Sequence, residues 1–399
     1  MLILEYIWLD SNYSPRSKTK VLNSEIKFNS LQELTSQLPI WNFDGSSTGQ
    51  AITSDSEVLL KPIKTVPDPF RKTNNNENRL CFLVLCECLN VDMSPNKYNT
   101  RHYANELFTN NSELEPMFGI EQEFFISSYS LPEISNSNSN SNSNSNSNSI
   151  SNSNTSTSIS TSTSISTSTS ISTSTSTSMV LQPICFSNKR IQLKEQEDYY
   201  CGVGFNNVLG RHLMEDAFNN LLFAGINITG LNAEVAPSQW EFQVCSTGID
   251  AADSLILTRY ICNRTFEIHN CSLDLTVKPR ENLNGSGCHV NFSTLEMRNP
   301  NGYGKIKEAI DNLSKKHSLH IKHYGTHNEL RLTGHHETSS INDFSYGVGS
   351  RNTSIRIPNE THKNNCGYLE DRRPSSTMDP YVTTSLLFAT SCGITNTYN

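Results

Sequence analysis

Asn232-Ala233-Glu234-Val235-Ala236-Pro237-Ser238-Gln239-Trp240-Glu241-Phe242-Gln243-Val244-Cys245 is the stretch whose reading decides the fold. Beyond Pro237 a large apolar residue stands at every second position, Trp240, Phe242 and Val244, the alternation of a half-buried strand. Successive side chains on a strand point to opposite faces, so Glu241 and Gln243 share the face away from those three. Glu234 lies just upstream, across the proline turn. Gly119-Ile120-Glu121-Gln122-Glu123-Phe124-Phe125 carries two more carboxylates at i and i+2, which on a strand also share one face. Gly285-Ser286-Gly287-Cys288-His289-Val290-Asn291-Phe292 brings a histidine into another short strand, and Gly367-Tyr368-Leu369-Glu370-Asp371 adds one more acid.

Acids on apolar strands need a reason. Two carboxylates about 4 Å apart repel by roughly 1 kcal/mol in water and by several times that in a protein interior. A cluster of them is tolerable when it is protonated or holds cations. Carboxylates with one imidazole and no thiolate suit a hard divalent ion, Mg²⁺ or Mn²⁺, better than zinc. For any one of these acids alone, the solvent face of an amphipathic strand is the simpler explanation. Four such segments in one chain weigh against it, although spacing alone leaves both readings open.

The chain of 399 residues is long enough for two domains with substantial cores. Its net charge of −8 and the dispersal of its arginines argue against nucleic-acid binding. Eleven cysteines without paired spacing read as reduced thiols of a cytoplasmic protein. The longest apolar run, Leu80–Leu89, includes Glu87 and is far short of a membrane span, so no membrane association is expected.

Residues 1–92 read as strands and turns, a first domain. Leu2–Leu9 and Leu80–Cys88 are strand candidates, Leu31–Leu38 has helical spacing, and Lys61-Pro62 to Lys72 reads as turn-rich. Residues 93–399 form a second domain, interrupted by a low-complexity insert at 135–178. There Ser alternates with Asn and then with Thr, leaving almost no apolar surface to offset ordering entropy; disorder is expected. Thr100–Phe108, Arg211–Ala224 (with Gly225 closing it), Ala251–Asn270 and Gly304–His320 read as helices between strands. The alternation predicts an α+β domain, helices packed on one sheet.

The segments Trp41–Thr48, Gly119–Phe125, Tyr199–Gly204, Asn232–Val244, Asn284–Ser293, Arg331–Pro358 and Gly367–Ser375 follow one another as they do in eukaryotic-type glutamine synthetase, which the chain closely resembles. The resemblance implies a small N-terminal β-grasp domain and a larger catalytic domain of antiparallel sheet with helices on it. It implies ATP-dependent ligation of ammonia to the γ-carboxylate of L-glutamate, through γ-glutamyl phosphate, with Mg²⁺ or Mn²⁺ as cofactor and ATP as co-substrate. By resemblance, Glu123, Glu234 and Glu241 ligate one metal ion, and Glu121, His289 and Glu370 a second. Asn282, Gly285, Gly287, Arg331 and Arg372 would contact glutamate. Glu241, Asn291, Phe292, Ser293, Arg351, Arg356 and Tyr368 would contact ATP. Arg351 and Arg372 are also expected to act in the chemical step, since guanidinium forks bind carboxylate and phosphate. The resemblance also implies that Glu337 is the flap residue that closes over the intermediate, and Asp44 an ammonium-binding base supplied across a subunit interface.

The implied assembly is a homo-oligomer, a decamer of two pentameric rings. Three positions depart from the family pattern: Leu283 replaces a tryptophan, His335 a bulkier aromatic and Glu57 an aspartate. Two other readings are an amine- or polyamine-using γ-glutamyl ligase, against which Asp44 argues, and a non-catalytic relative, against which the full set of six ligands argues.

Overall fold

A computed structural model of the chain describes residues 1–23, 26–71, 79–130, 180–187, 196–204, 206–281, 283–335 and 337–395. The insert at 135–178 and Asn282 lie outside the described residues. The main compact unit joins Met1–Ser128 to Gln182–Asn399; Tyr129–Leu181 is a separate unit represented only by strand ends.

Five strands form the first sheet: β1 (Leu2–Leu9), β2 (Pro15–Leu22), β3 (Trp41–Asp44), β4 (Glu57–Pro67) and β5 (Leu80–Leu89), in the order β2-β1-β5-β4-β3. The parallel pair β1–β5 lies at the centre and is buried on both faces, which is why both strands read as nearly continuous apolar runs. Even-numbered positions Leu4, Tyr6, Trp8, Phe82 and Val84 pack against Leu34 of helix Leu31–Gln37. Odd-numbered positions Ile7, Leu83 and Leu85 join the core of the second sheet and its helices. Glu5, on that second face, is 5% exposed and accepts hydrogen bonds from Tyr260 and Arg71. This sheet with one helix is the small N-terminal layer the resemblance implies.

One local expectation fails. Lys61 to Pro67 belongs to a long strand, not to a turn. β3 pairs only with residues 57–60 of β4, so Pro62 sits where β4 has become an edge on that side and its missing N–H breaks no ladder. The register with β5 slips between Pro62 and Lys64, which absorbs the proline as a bulge.

The second sheet uses β6 (Met117–Ser130), β8 (Ile228–Ala233), β9 (Gln239–Thr247), β11 (Cys288–Ser293), β12 (Tyr346–Val348), β13 (Ile355–Ile357) and β14 (Leu369–Asp371), after the short β7 (Val180–Pro183). Their order is β12-β13-β14-β11-β6-β9-β8, with β10 (Ser272–Asp274) also on β6. All these neighbours are antiparallel except β12–β13, which is parallel. Helices Arg211–Phe223, Ile249–Glu267 and Pro380–Cys392 cover one face through Leu213, Met214, Leu255, Ile261, Leu387 and Phe388. The helix expected over Gly304–His320 is two helices, Tyr303–Lys315 and His317–His323, broken at Lys316 with φ −117°. No helix among the described residues is long and apolar enough to cross a membrane.

Candidate active site

The other face of the second sheet is polar, and strand register builds it. In β6, Phe118, Ile120 and Phe124 face the helices and are fully buried, which turns Gly119, Glu121 and Glu123 the other way. In β9, Trp240, Phe242 and Val244 are buried in the helix-side core and Gln239, Glu241 and Gln243 lie opposite. Pairing then sets Glu123 beside Glu241, Glu121 between Gln243 and His289, and Glu370 between Asn291 and Arg356. Positions up to 249 residues apart in sequence thus become one patch, since Glu121 and Glu370 both offer ligand atoms within 4.8 Å of each other and of His289. Like charges directly opposed across a ladder are destabilising, so the Glu123–Glu241 pair is not there for the sheet.

This patch floors a cavity of about 200 Å³. Glu121, Glu123, Glu234, Glu241 and His289 line it, with Arg331, Arg351, Arg356, Arg372 and Glu337 around them. Glu370 lies beneath, 1% exposed, accepting from Arg356 at 2.8 Å and Arg372 at 2.5 Å, with its carboxylate 3.7 Å from His289 Nδ1. Glu123, Glu234 and Glu241 are more openly spaced than the Glu121–His289–Glu370 group. Burial and then the neighbouring Glu123 carboxylate push Glu234 up to about 8. Burial, then Glu121, Glu123 and Glu234, push Glu241 up to about 9. Burial and the nearby Arg372 charge hold His289 down to about 3, so its imidazole is neutral and able to ligate.

Hard oxygen donors that repel one another, one neutral imidazole and no thiolate fit divalent cations of the Mg²⁺ or Mn²⁺ kind. Because the two raised carboxyls carry protons at pH 7, cation binding must displace them. Binding is therefore expected to release protons at pH 7 and to tighten as pH rises toward 9. Calorimetry in buffers of different ionisation heat counts those protons; a count of zero at pH 7 contradicts the assignment.

The glycine loop explains how the floor meets the wall. Gly287 N–H donates to Glu123 Oε2 at 2.8 Å, and Glu123 N–H donates back to the Gly287 carbonyl at 3.1 Å. A Cβ on Gly287 would stand 3.0 Å from His289 Nε2 and 3.1 Å from the Arg331 guanidinium; one on Gly285 would stand 2.9 Å from Arg331 Cγ. Arg331 is itself buried and fixed by the carbonyls of Arg372, Arg373 and Pro374 at 2.8–3.0 Å. Arg372 donates to the carbonyls of Arg351 and Glu337, and Arg351 pairs with Glu337 at 3.2 Å. Glu337 sits at φ +60°, a left-handed conformation that costs a glutamate energy and marks a constrained turn.

The family model of the glutamine synthetase catalytic domain matches residues 97–318. The glutamine synthetase of Eremothecium gossypii is 41% identical over 395 residues, which cover 98% of this chain and 90% of that protein. The chain belongs to the glutamine synthetase family. The glutamine synthetase of Saccharomyces cerevisiae is 39% identical over 395 residues, again 98% of this chain and 90% of the relative. Among solved structures, Plasmodium falciparum glutamine synthetase, determined by cryo-EM, aligns with a TM-score of 0.67 at 16% identity, over 98% of this chain and 71% of that one; this likeness concerns the fold.

Several residues that likeness to glutamine synthetase assigns to the site stand outside the cavity of the single chain. Asp44 belongs to the first sheet, opposite Glu57, where it caps the turn Gly45–Thr48. The Ser47 and then the Ser46 hydroxyl hold its carboxyl down to about 2, so it stays ionised. The Phe292 ring points into the core, 5.3 Å from Phe118 and 6.3 Å from Phe388. Ser293 accepts from Arg298 at 3.1 Å, Asn291 donates to Glu121 at 2.8 Å, and Tyr368 is exposed. Asn282 lies outside the described residues.

Conversely, the cavity includes residues given no role from sequence. Gln239 donates to Glu123, to the Gly285 carbonyl and to Ser286. The same alternation that turned Glu241 outward also applied to Gln239, two residues before it. Tyr200, whose hydroxyl bonds Arg351, and Lys278 carried no periodic signal because both lie in irregular chain.

Proposed function

We propose that this chain is an ATP-dependent ligase that joins ammonia to the γ-carboxylate of L-glutamate, giving L-glutamine, ADP and phosphate. The observation that carries the reading is the meeting of six predicted ligands and four arginines around one cavity floor. Named glutamine synthetases of about 40% identity over nearly the whole chain support it.

In this reading Arg331 and Arg372 receive the substrate carboxylates, and Arg351 and Arg356 face the phosphates. The glutamate γ-carboxylate attacks the γ-phosphorus of ATP to form an acyl phosphate and ADP; ammonia then displaces phosphate. Two divalent cations, when bound on the acidic floor, neutralise charge on the transferring phosphoryl group. The Glu337 turn, tied to Arg351 and Arg372, excludes water from the acyl phosphate and accepts a proton from ammonium. Holding both reactants in one cavity contributes on the order of 7–11 kcal/mol in favourable cases.

Asp44, ionised and exposed, belongs in this proposal to the cavity of a neighbouring subunit in a ring-shaped homo-oligomer, two rings making a decamer. The test is phosphate release from purified protein given glutamate, ATP and Mg²⁺ or Mn²⁺, with either ammonium or methylamine. Release with ammonium and little with methylamine is expected. Equal or greater release with the amine overturns the ammonia assignment.

A further inference from the structure

We propose that Asn232 and Gln243, seated around Gly230, are positioning residues: a neutral bracket that presets Glu234 and Glu241 to receive a divalent cation. The inference rests on the metal-dependent reading above and goes beyond it, because neither amide is a ligand in that reading.

Asn232 Nδ2 donates to Glu234 Oε1 at 2.7 Å, and Gln243 Nε2 donates to Glu241 Oε1 at 2.7 Å. Each amide stands two residues from its acid along a strand or its continuation, the spacing that puts both side chains on one face. Asn232 pairs with Glu241 across the β8–β9 ladder, so the two amide–acid pairs lie side by side with opposite chain direction. Once a cation has displaced their protons the two carboxylates accept and cannot donate, so the NH₂ end of each amide, already toward its acid, is the end that matches the cation-bound state.

Gly230 makes room for this. It pairs with Gln243 in the ladder, and a Cβ on it would stand 2.2 Å from Gln243 Oε1 and 2.6 Å from Cδ. The Gln243 carboxamide therefore lies over the glycine and is aimed along the sheet at Glu241. A larger residue at 230 would lift it away.

The choice of amides has a chemical consequence. Glu370 is held by two guanidinium groups, which offset its charge. Asn232 and Gln243 orient their acids without supplying a counter-charge, so Glu234 and Glu241, once a cation displaces their protons, offer it their full charge. Partners of this kind typically change metal affinity 10- to 100-fold when removed.

The test is Mn²⁺ binding to the full chain without nucleotide, read as free Mn²⁺ by electron paramagnetic resonance, together with thermal unfolding of the metal-free protein. Wild type is expected to show two classes of site. Gln243→Met keeps length and loses the donor; Gly230→Ala keeps the donor and displaces it. Each is expected to weaken one class about 10- to 100-fold while the other class and the metal-free unfolding temperature stay put. The proposal is overturned if both variants leave both classes unchanged, or if both classes weaken together with metal-free stability. Wild type that binds no Mn²⁺ overturns the metal reading itself, and the bracket with it, before any variant is made.

Discussion

Glu370→Gln is expected to lower kcat for glutamine formation by on the order of 10²–10³-fold, the scale of losing one well-placed electrostatic group in a dry site. The substitution keeps the shape of the side chain and removes only its charge, yet three functions depend on that charge. One oxygen lies 3.7 Å from His289 Nδ1, where Glu121 completes a group able to grip a cation. The same carboxylate is the counter-charge of Arg372 and Arg356, at 2.5 and 2.8 Å. Arg372 in turn holds the carbonyls of Arg351 and Glu337, so loosening it loosens the turn that covers the cavity. A glutamine can accept from one guanidinium but leaves the other without a buried counter-charge. Steady-state kinetics and Mn²⁺ binding on the same preparation check this. A variant with kcat within about 10-fold of wild type, binding two Mn²⁺ ions as before, would show that Glu370 is a structural anchor and not part of the cation site.

How far such residues are legible in sequence depends on what local pattern can carry. The alternation around Glu241 was decisive because burial of Trp240, Phe242 and Val244 is a local consequence of strand geometry. The same rule placed Glu121 and Glu123 on one face and would have placed Gln239 with Glu241. It could not say that Glu123 and Glu241 stand opposite each other, or that His289 meets Glu121. Register is a long-range property, and only likeness to a known family supplied it. Local reading misjudged Lys61–Pro67, because the proline's cost depends on where the neighbouring strand stops. It also missed the break at Lys316, because the buried positions of the first helix, ending at Leu313, run on at helical spacing into His317 and His320 of the next. Asp44 looked like a turn residue and in the single chain it is one; any larger role needs a second subunit.

Asp371 and Arg373 show the limit most sharply, and Asp371→Asn is the other large effect expected. β14 is three residues long, and alternation sends Glu370 toward the cation site and Asp371 into the opposite interior. There Asp371 accepts from Arg373 Nε and Nη2 at 2.8 and 2.6 Å and from the Tyr324 hydroxyl at 2.8 Å. Arg373 is 0% exposed, between the rings of Tyr324 and Phe344 at 5.2 and 5.3 Å. His317 Nε2 meets the Ile341 carbonyl at 2.9 Å, which makes it the donor there and leaves Nδ1 to accept from Arg373 at 3.3 Å. Removing the charge on Asp371 strands a guanidinium that has no route to water. The expected loss is about 3–5 kcal/mol of stability, read as a lower urea midpoint. Asp371→Leu combined with Arg373→Met should recover most of it, since an apolar pair of similar volume avoids the desolvation of both ions.

The pH dependence has a definite sign. Burial is the largest single influence and raises the Asp371 pKa, but the Arg373 charge, its side-chain and backbone hydrogen bonds and the nearby His320 together outweigh it, and the net value lies below the ordinary carboxylate. The contribution is thus fully present above the unfolded-state pKa of about 3.9 and is lost as pH falls through the folded one. In Asp371→Asn that acid limb should shrink. If the double variant is instead less stable than Asp371→Asn alone, the pair contributes net stability in place, and the desolvation argument for this buried network fails.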